Sequence, residues 1–287
     1  NESSELNILT EVYEDLSKKD KDRHEFILPS YNYTRNLYDD YFTGSLTFSS
    51  LGYNKLYDTN ISEKVIINDF DYQSDYIVNS AGFVGNYEAK FKNFNADTKN
   101  SNSFKNKKES ELQSLLKYEI KYPLKKKRNR YDSILSPILS ARYSPNKNKN
   151  LEDSDHIINY GNVFSMNRIG KTNTVEGGQS ITIGNEYKVY DKKDNNNEKF
   201  SMNFATVFRD EKDSNFSELS SLGEKTSDIF GEIYFKTNEF IDISYDFSLD
   251  NNLNTLNYNL IDTTISINNF VTSFEFLERN NVLDSKS

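Results

Sequence analysis

Few residues in this chain could carry reaction chemistry, and their types narrow the field at once. There is no Cys, which removes a thiol nucleophile, a disulfide framework and a Cys-ligated zinc or iron–sulfur centre. The two histidines, His24 and His156, each have an acid nearby, but no serine or second base stands at a spacing that builds a nucleophile-and-base relay. They read as plain surface residues. Asn68-Asp69-Phe70-Asp71 and Glu152-Asp153-Ser154-Asp155 offer the oxygen donors that calcium or magnesium takes. Neither has the glycine-punctuated spacing of a cation loop, so solvated acids are the expectation. Lys125-Lys126-Lys127-Arg128-Asn129-Arg130 could attract phosphates or anionic headgroups, yet it lies between two strand-like runs and reads as a solvated turn. Gly177-Gly178, near Gly184, falls on a strand start and not on a strand-to-helix turn, which does not support a phosphate cradle. No enzyme activity, metal or cofactor is expected from these residues.

Charge and hydropathy narrow the partners. Among 287 residues, 35 Lys+Arg stand against 44 Asp+Glu for a formal charge of -9, which argues against electrostatic binding of nucleic acid. The mean hydropathy of -0.79 is that of a hydrophilic chain. Twenty Tyr and 20 Phe nevertheless make it too aromatic for disorder. No run approaches the ~18 apolar residues of a membrane-crossing helix, the longest being as short as Val65-Ile66-Ile67. The opening Asn1-Glu2-Ser3-Ser4 and the closing Asp284-Ser285-Lys286-Ser287 read as cuts through a longer chain.

What must position any site is set by a period of two. Between Ile241 and Asp250 the odd residues are Ile241, Ile243, Tyr245, Phe247 and Leu249, and the even ones are Asp242, Ser244, Asp246, Ser248 and Asp250. A strand puts those sets on opposite faces, and a helix cannot. Phe83 to Lys92, Leu116 to Tyr122, Ile181 to Val189 and Met202 to Arg209 alternate likewise, with further runs near 6 to 16, 25 to 37, 45 to 57, 64 to 74, 132 to 144, 228 to 236, 256 to 267 and 270 to 278. The expectation is roughly thirteen strands, long for a soluble sheet. Tight turns such as Lys236-Thr237-Asn238-Glu239 and Asn268-Asn269 alternate with long polar stretches around 95 to 110, 145 to 174 and 210 to 226. Short turns at one end and long loops at the other predict an all-β, antiparallel transmembrane β-barrel of the outer-membrane type, with Tyr and Phe at strand ends forming interfacial girdles. Pro29, Pro123 and Pro137 fall inside strand-like runs, where a missing N–H marks an edge, bulge or kink.

Tyr122-Pro123-Leu124, Leu135-Ser136-Pro137 through Tyr143-Ser144-Pro145, Asn162-Val163-Phe164-Ser165-Met166-Asn167-Arg168 and Val175-Glu176-Gly177-Gly178 follow in that order. This succession resembles the barrel of the lipopolysaccharide-assembly outer-membrane protein, the LptD-like family. Pro123, Pro137, Asn167, Arg168, Glu176 and Gly178 are its motif residues, with a structural role. Ser136-Pro137 stands where the family has Glu-Pro, and Asn173-Thr174 where it has Asp-Arg. The resemblance implies an internal fragment, about half of a large barrel, in which residues 1–287 form one barrel domain without the N-terminal periplasmic domain and the terminal strands.

It further implies a translocon in the cell outer membrane that inserts lipopolysaccharide into the outer leaflet. The implied partners are lipopolysaccharide, an outer-membrane lipoprotein plug, a periplasmic bridge protein and membrane lipid. In such a wall the polar columns, including Lys90, Lys188, Glu232, Asp242 and Asp246, would face the lumen. Two alternatives stand beside this reading. One is a porin-like or substrate-specific outer-membrane channel, and the other a soluble secreted β-rich adhesin with its apolar columns packed between sheets.

Overall fold

Side chains that alternate in polarity separate cleanly only on a pleated strand, and the chain follows that rule almost throughout. A computed structural model describes residues 4–17, 23–40, 43–151, 156–217 and 220–280. The acidic run Glu152-Asp153-Ser154-Asp155 and both chain ends lie outside the described residues. The strands are β1 (Ser4–Glu14), β2 (His24–Asp40), β3 (Gly44–Tyr57), β4 (Ser62–Gln73), β5 (Ile77–Val78), β6 (Val84–Lys99), β7 (Lys108–Lys121) and β8 (Leu124–Lys127). They continue as β9 (Tyr131–Ser144), β10 (Gly178–Asp191), β11 (Asn197–Arg209), β12 (Ile229–Lys236), β13 (Ile241–Leu249), β14 (Leu256–Ile267) and β15 (Phe270–Arg279). A single helical turn, α1 (Tyr160–Val163), is capped reciprocally by Asn159 and Asn162.

All pairing is antiparallel and runs in sequence order, β1-β2-β3-β4-β6-β7-β9-β10-β11-β12-β13-β14-β15, with β5 appended to β6 and β8 to β9. This is an all-β sheet of outer-membrane type, a succession of hairpins without crossovers. Among the described residues β1 and β15 each pair on one side only. The connections 100–107, 145–177 and 210–228 all leave from one end of the sheet, and the tight turns 128–130, 192–196, 237–240 and 268–269 from the other.

The basic run is only partly a turn. Leu124–Lys127 extends β7 as β8, because Lys121↔Ile138 and Leu124↔Leu135 lie in one continuous register. The interruption between them is made by prolines. Tyr122 donates its N–H to the Pro137 carbonyl at 3.1 Å, and Pro137 has no N–H to return. Pro29 sits where the β2–β3 register shifts between Ile27 and Ser30.

Burial is inverted relative to a soluble protein. On β9, Ser136, Ser140, Arg142 and Ser144 are buried while Leu135, Leu139 and Tyr143 are exposed. On β10, Thr182 is fully buried between exposed Ile181 and Ile183. The polar face is covered by the long connections, and the apolar face is left exposed. Apolar burial on the inner face gathers in two places where connections dock, with Leu115 and Ile138 buried outside them. Val65, Ile67, Phe94 and Ala96 lie under Tyr53 and Phe104. Ala205, Val207 and Phe230 of the wall pack with Leu151, Ile158, Tyr160, Val163, Ile169, Phe216 and Leu222 of the connections. The wall is therefore apolar on both faces at those points, which explains the Val65-Ile66-Ile67 run: Ile66 is exposed outward and its neighbours are buried inward.

Candidate functional site

A pleated wall with one covered face must carry its polar features in rows, and the register defines two. Glu88↔Lys117↔Arg142↔Ser180↔Arg209 cross five strands. Farther toward the tight turns, Ser136↔Glu186↔Asn203↔Glu232↔Asp246 form a second row. Lys90 lies two residues from Glu88, Lys188 two from Glu186 and Asp242 four from Asp246. The five polar positions singled out in the sequence thus share the sheet face that carries Arg142.

The connection 145–177 is fastened to the first row by buried charges. Arg168, fully buried, donates Nε to Glu176 Oε2 at 2.7 Å and Nη2 to Glu176 Oε1, and reaches Ser180 at 2.9 Å and Thr182 at 3.2 Å. Arg209 adds Nη1 to the same carboxylate at 2.6 Å and Nη2 to the Gly177 carbonyl at 2.5 Å. Its guanidinium stacks on Phe216 of the connection 210–228. Arg142 donates to the Ser165 and Met166 carbonyls. Burial alone would raise the Glu176 carboxyl; the Arg168 charge and hydrogen bonds, joined by Arg142 and Arg209, outweigh it and hold the group at about 2. A carboxylate fixed in its ionised form by three guanidinium groups is a fastening and not a proton acceptor.

Amides complete the attachment. Asn167 accepts from the Glu176 N–H at 3.0 Å and donates to the Thr174 carbonyl at 3.2 Å. Gln113 of β7 accepts from Val175 N–H at 2.8 Å, and Asn148 accepts from Gly177 N–H at 2.7 Å. Asn148 also donates to Asp213 at 2.7 Å, tying the two long connections together. Gly178 turns the chain into β10 with φ +80, a conformation that favours glycine. Of the motif residues, Asn167, Arg168, Glu176 and Gly178 therefore meet in one place. Pro123 and Pro137 form the ladder gap farther along the wall, where Pro137 lies in register with Asn185.

Away from the fastening, the connection leaves space. Asn167, Lys171 and Thr172 face Asn32, Thr34, Ser49, Asp69, Lys90 and Lys92 across a cavity of about 430 Å³ that Leu51 and Ile67 also line. At the opposite flank, Ile157 and Ile158 line a small cavity with Asn257, Tyr258 and Arg279. One connection thus faces β2 and β14 at once, so the sheet curls around it. The Asp69 and Asp71 pair is neutralised by lysines of the neighbouring strand: Lys92 reaches Asp69 at 2.7 Å and Lys90 reaches Asp71 at 2.7 Å. No group of three or more His, Cys, Asp and Glu side chains fit for a metal occurs among the described residues. His24 is partly exposed and meets Asp58 at 2.9 Å. Two cations of the basic run are paired locally, Lys125 with Asp132 at 3.2 Å and Arg130 with Asp191 at 3.1 Å.

Sequence reasoning passed over Arg142, Arg209, Gln113 and Asn148 as site residues. The available signal is Ser140-Arg142-Ser144, an arginine flanked in its inward column by small hydroxyls. Compared with known proteins, residues 4–287 match the family model described as LPS transport system D (LptD). No curated protein matches the chain.

Proposed function

The chain belongs to the LptD family, and from that premise we propose that it forms wall of an outer-membrane translocon that delivers lipopolysaccharide to the outer leaflet. The observation that carries this reading is the inverted burial: exposed Leu139, Tyr143, Ile181 and Ile183 would meet acyl chains, while buried Ser140, Arg142 and Thr182 face inward. A soluble sandwich would bury the first set and expose the second.

In this reading residues 1–287 make one barrel domain, about half of the closed wall, and the open sides of β1 and β15 pair with further strands, since an unpaired edge in lipid leaves backbone groups unsatisfied. The long connections lie on the cell-surface side and the tight turns on the periplasmic side. Lys90, Lys188, Glu232, Asp242 and Asp246 line the lumen, where the sugar portion of the substrate, a lipoprotein plug and a periplasmic bridge protein would be met. The role is physical, positioning and passage, with no bond-making step. Depletion of the complete gene product is the test. Lipopolysaccharide accumulating behind the outer membrane is the expected result, and a defect in solute uptake alone would replace the reading with that of a passive channel.

A further inference from the structure

The second inner row contains an unbalanced stretch. Glu232 and Asp246 stand directly opposite each other in the β12–β13 register, and neither has a hydrogen-bond or ion-pair partner among the described residues. Opposed carboxylates of this kind repel, with side-chain origins only ~5 Å apart. Lys188, whose charge acts on Glu232, forms its ion pair with Glu198 at 3.8 Å, and Lys121 pairs with Glu186 at 3.4 Å. Beside Glu232, on β11, is Asn203, which is 4 % exposed. Its side-chain oxygen is buried without a hydrogen-bond partner, a costly arrangement unless something else coordinates it.

Two carboxylates without an ion-pair partner and an orphaned amide oxygen, adjacent on one face, are a set of hard oxygen donors. We propose that Asn203, Glu232 and Asp246 bind a divalent cation, calcium or magnesium, on the inner wall of β11–β13. Hard cations take carboxylate and amide oxygens and complete their shell with water, which matches a site with three protein donors and an open side. Occupied, it turns a stretch of wall that repels anions into one that bridges to them through the metal. On the proposed transport reading, that makes it a contact for phosphate or carboxylate groups of the passing glycolipid.

The test uses the complete protein folded in detergent micelles and calcium chloride alone, titrated calorimetrically and by thermal unfolding. The wild type should bind one calcium that the Glu232→Gln/Asp246→Asn double variant does not bind, and calcium should raise the wild-type unfolding temperature only. Asn203→Ala, which removes no charge, should weaken binding at least tenfold and serves if the double variant does not fold. Asp242→Asn, on the same face but bonded to Tyr234 at 2.7 Å, should leave calcium binding unchanged. Equal calcium binding by wild type and double variant, or no calcium effect on the wild type, overturns the site. Because no lipopolysaccharide is present, this outcome is separate from the depletion experiment, and either can fail alone.

Discussion

Replacing Glu176 by Gln removes the negative charge on which Arg168 and Arg209 converge, while keeping size and hydrogen-bonding capacity. Its effect follows from the carboxyl's environment. The gap between about 2 in the folded protein and the ordinary 4.5 corresponds to about 3 kcal/mol of stabilisation of the ionised form. Removing one partner of a buried ion pair costs ~3–5 kcal/mol by independent reckoning, because the other charge is stranded. Both figures concern the attachment of connection 145–177, since the hairpin ladder of the wall does not pass through Glu176. Backbone amides of 157–177 should therefore exchange with deuterium faster by roughly two to three powers of ten, while β6 to β10 keep their protection. Acid offers a second route to the same state. The carboxyl is depressed in the fold, so its contribution is complete above about 4.5 and is lost as the pH falls toward about 2. Wild-type protein should lose protection in that window and the Gln variant should show no such step. Unchanged exchange in 157–177 at neutral pH would refute the assignment of Arg168–Glu176–Arg209 as the fastening.

Other outcomes follow from the wall. A side chain at Gly184 would place its first carbon 2.6 Å from the Phe164 ring; Gly184→Val should loosen the connection by ~1–3 kcal/mol, and adding Phe164→Ala should recover part of that loss in a double-mutant cycle read by hydrogen exchange. Ile183→Lys places a charge on the bare apolar face and should destabilise the membrane-inserted wall by ~2–4 kcal/mol. Asp242→Lys, on the covered face, should instead leave the heat-modifiable folded form intact on gels. Pro137→Val supplies the N–H that the Tyr122 carbonyl lacks, and slower amide exchange at β7–β9 with a gain of ~0.5–1.5 kcal/mol is expected. Exchange unchanged across that pair would mean that the gap is closed in another way.

Strand alternation made the wall legible because each strand buries one face and bares the other, so polarity is written locally at every second residue. The run between Ile241 and Asp250 is visible for that reason, and all of it but Asp250 lies in β13. Legibility failed where the inner face is also apolar. Val207 and Phe230 look like lapses in the alternation until Val163 and Phe216 are seen covering them, and that contact joins segments distant in sequence. The short β5 and β8 were missed because they extend neighbouring ladders and are too brief to show a period. Within the fastening, Asn167, Arg168, Glu176 and Gly178 were marked by family resemblance alone. Arg209, 33 residues beyond Glu176, had no local pattern to connect it with that carboxylate.

The greasy nucleus shared by wall and connection has a consequence for the order of assembly. Ala205, Val207 and Phe230 supply one half of it, and Ile158, Val163, Phe216 and Leu222 the other. Neither half can dry itself alone, so the long connection has nothing to condense upon until the hairpins of β10 to β12 are already side by side. Maturation should run from staves to stopper: a lesion in the connection would yield a properly inserted but leaky shell, whereas a lesion in those staves would spoil both.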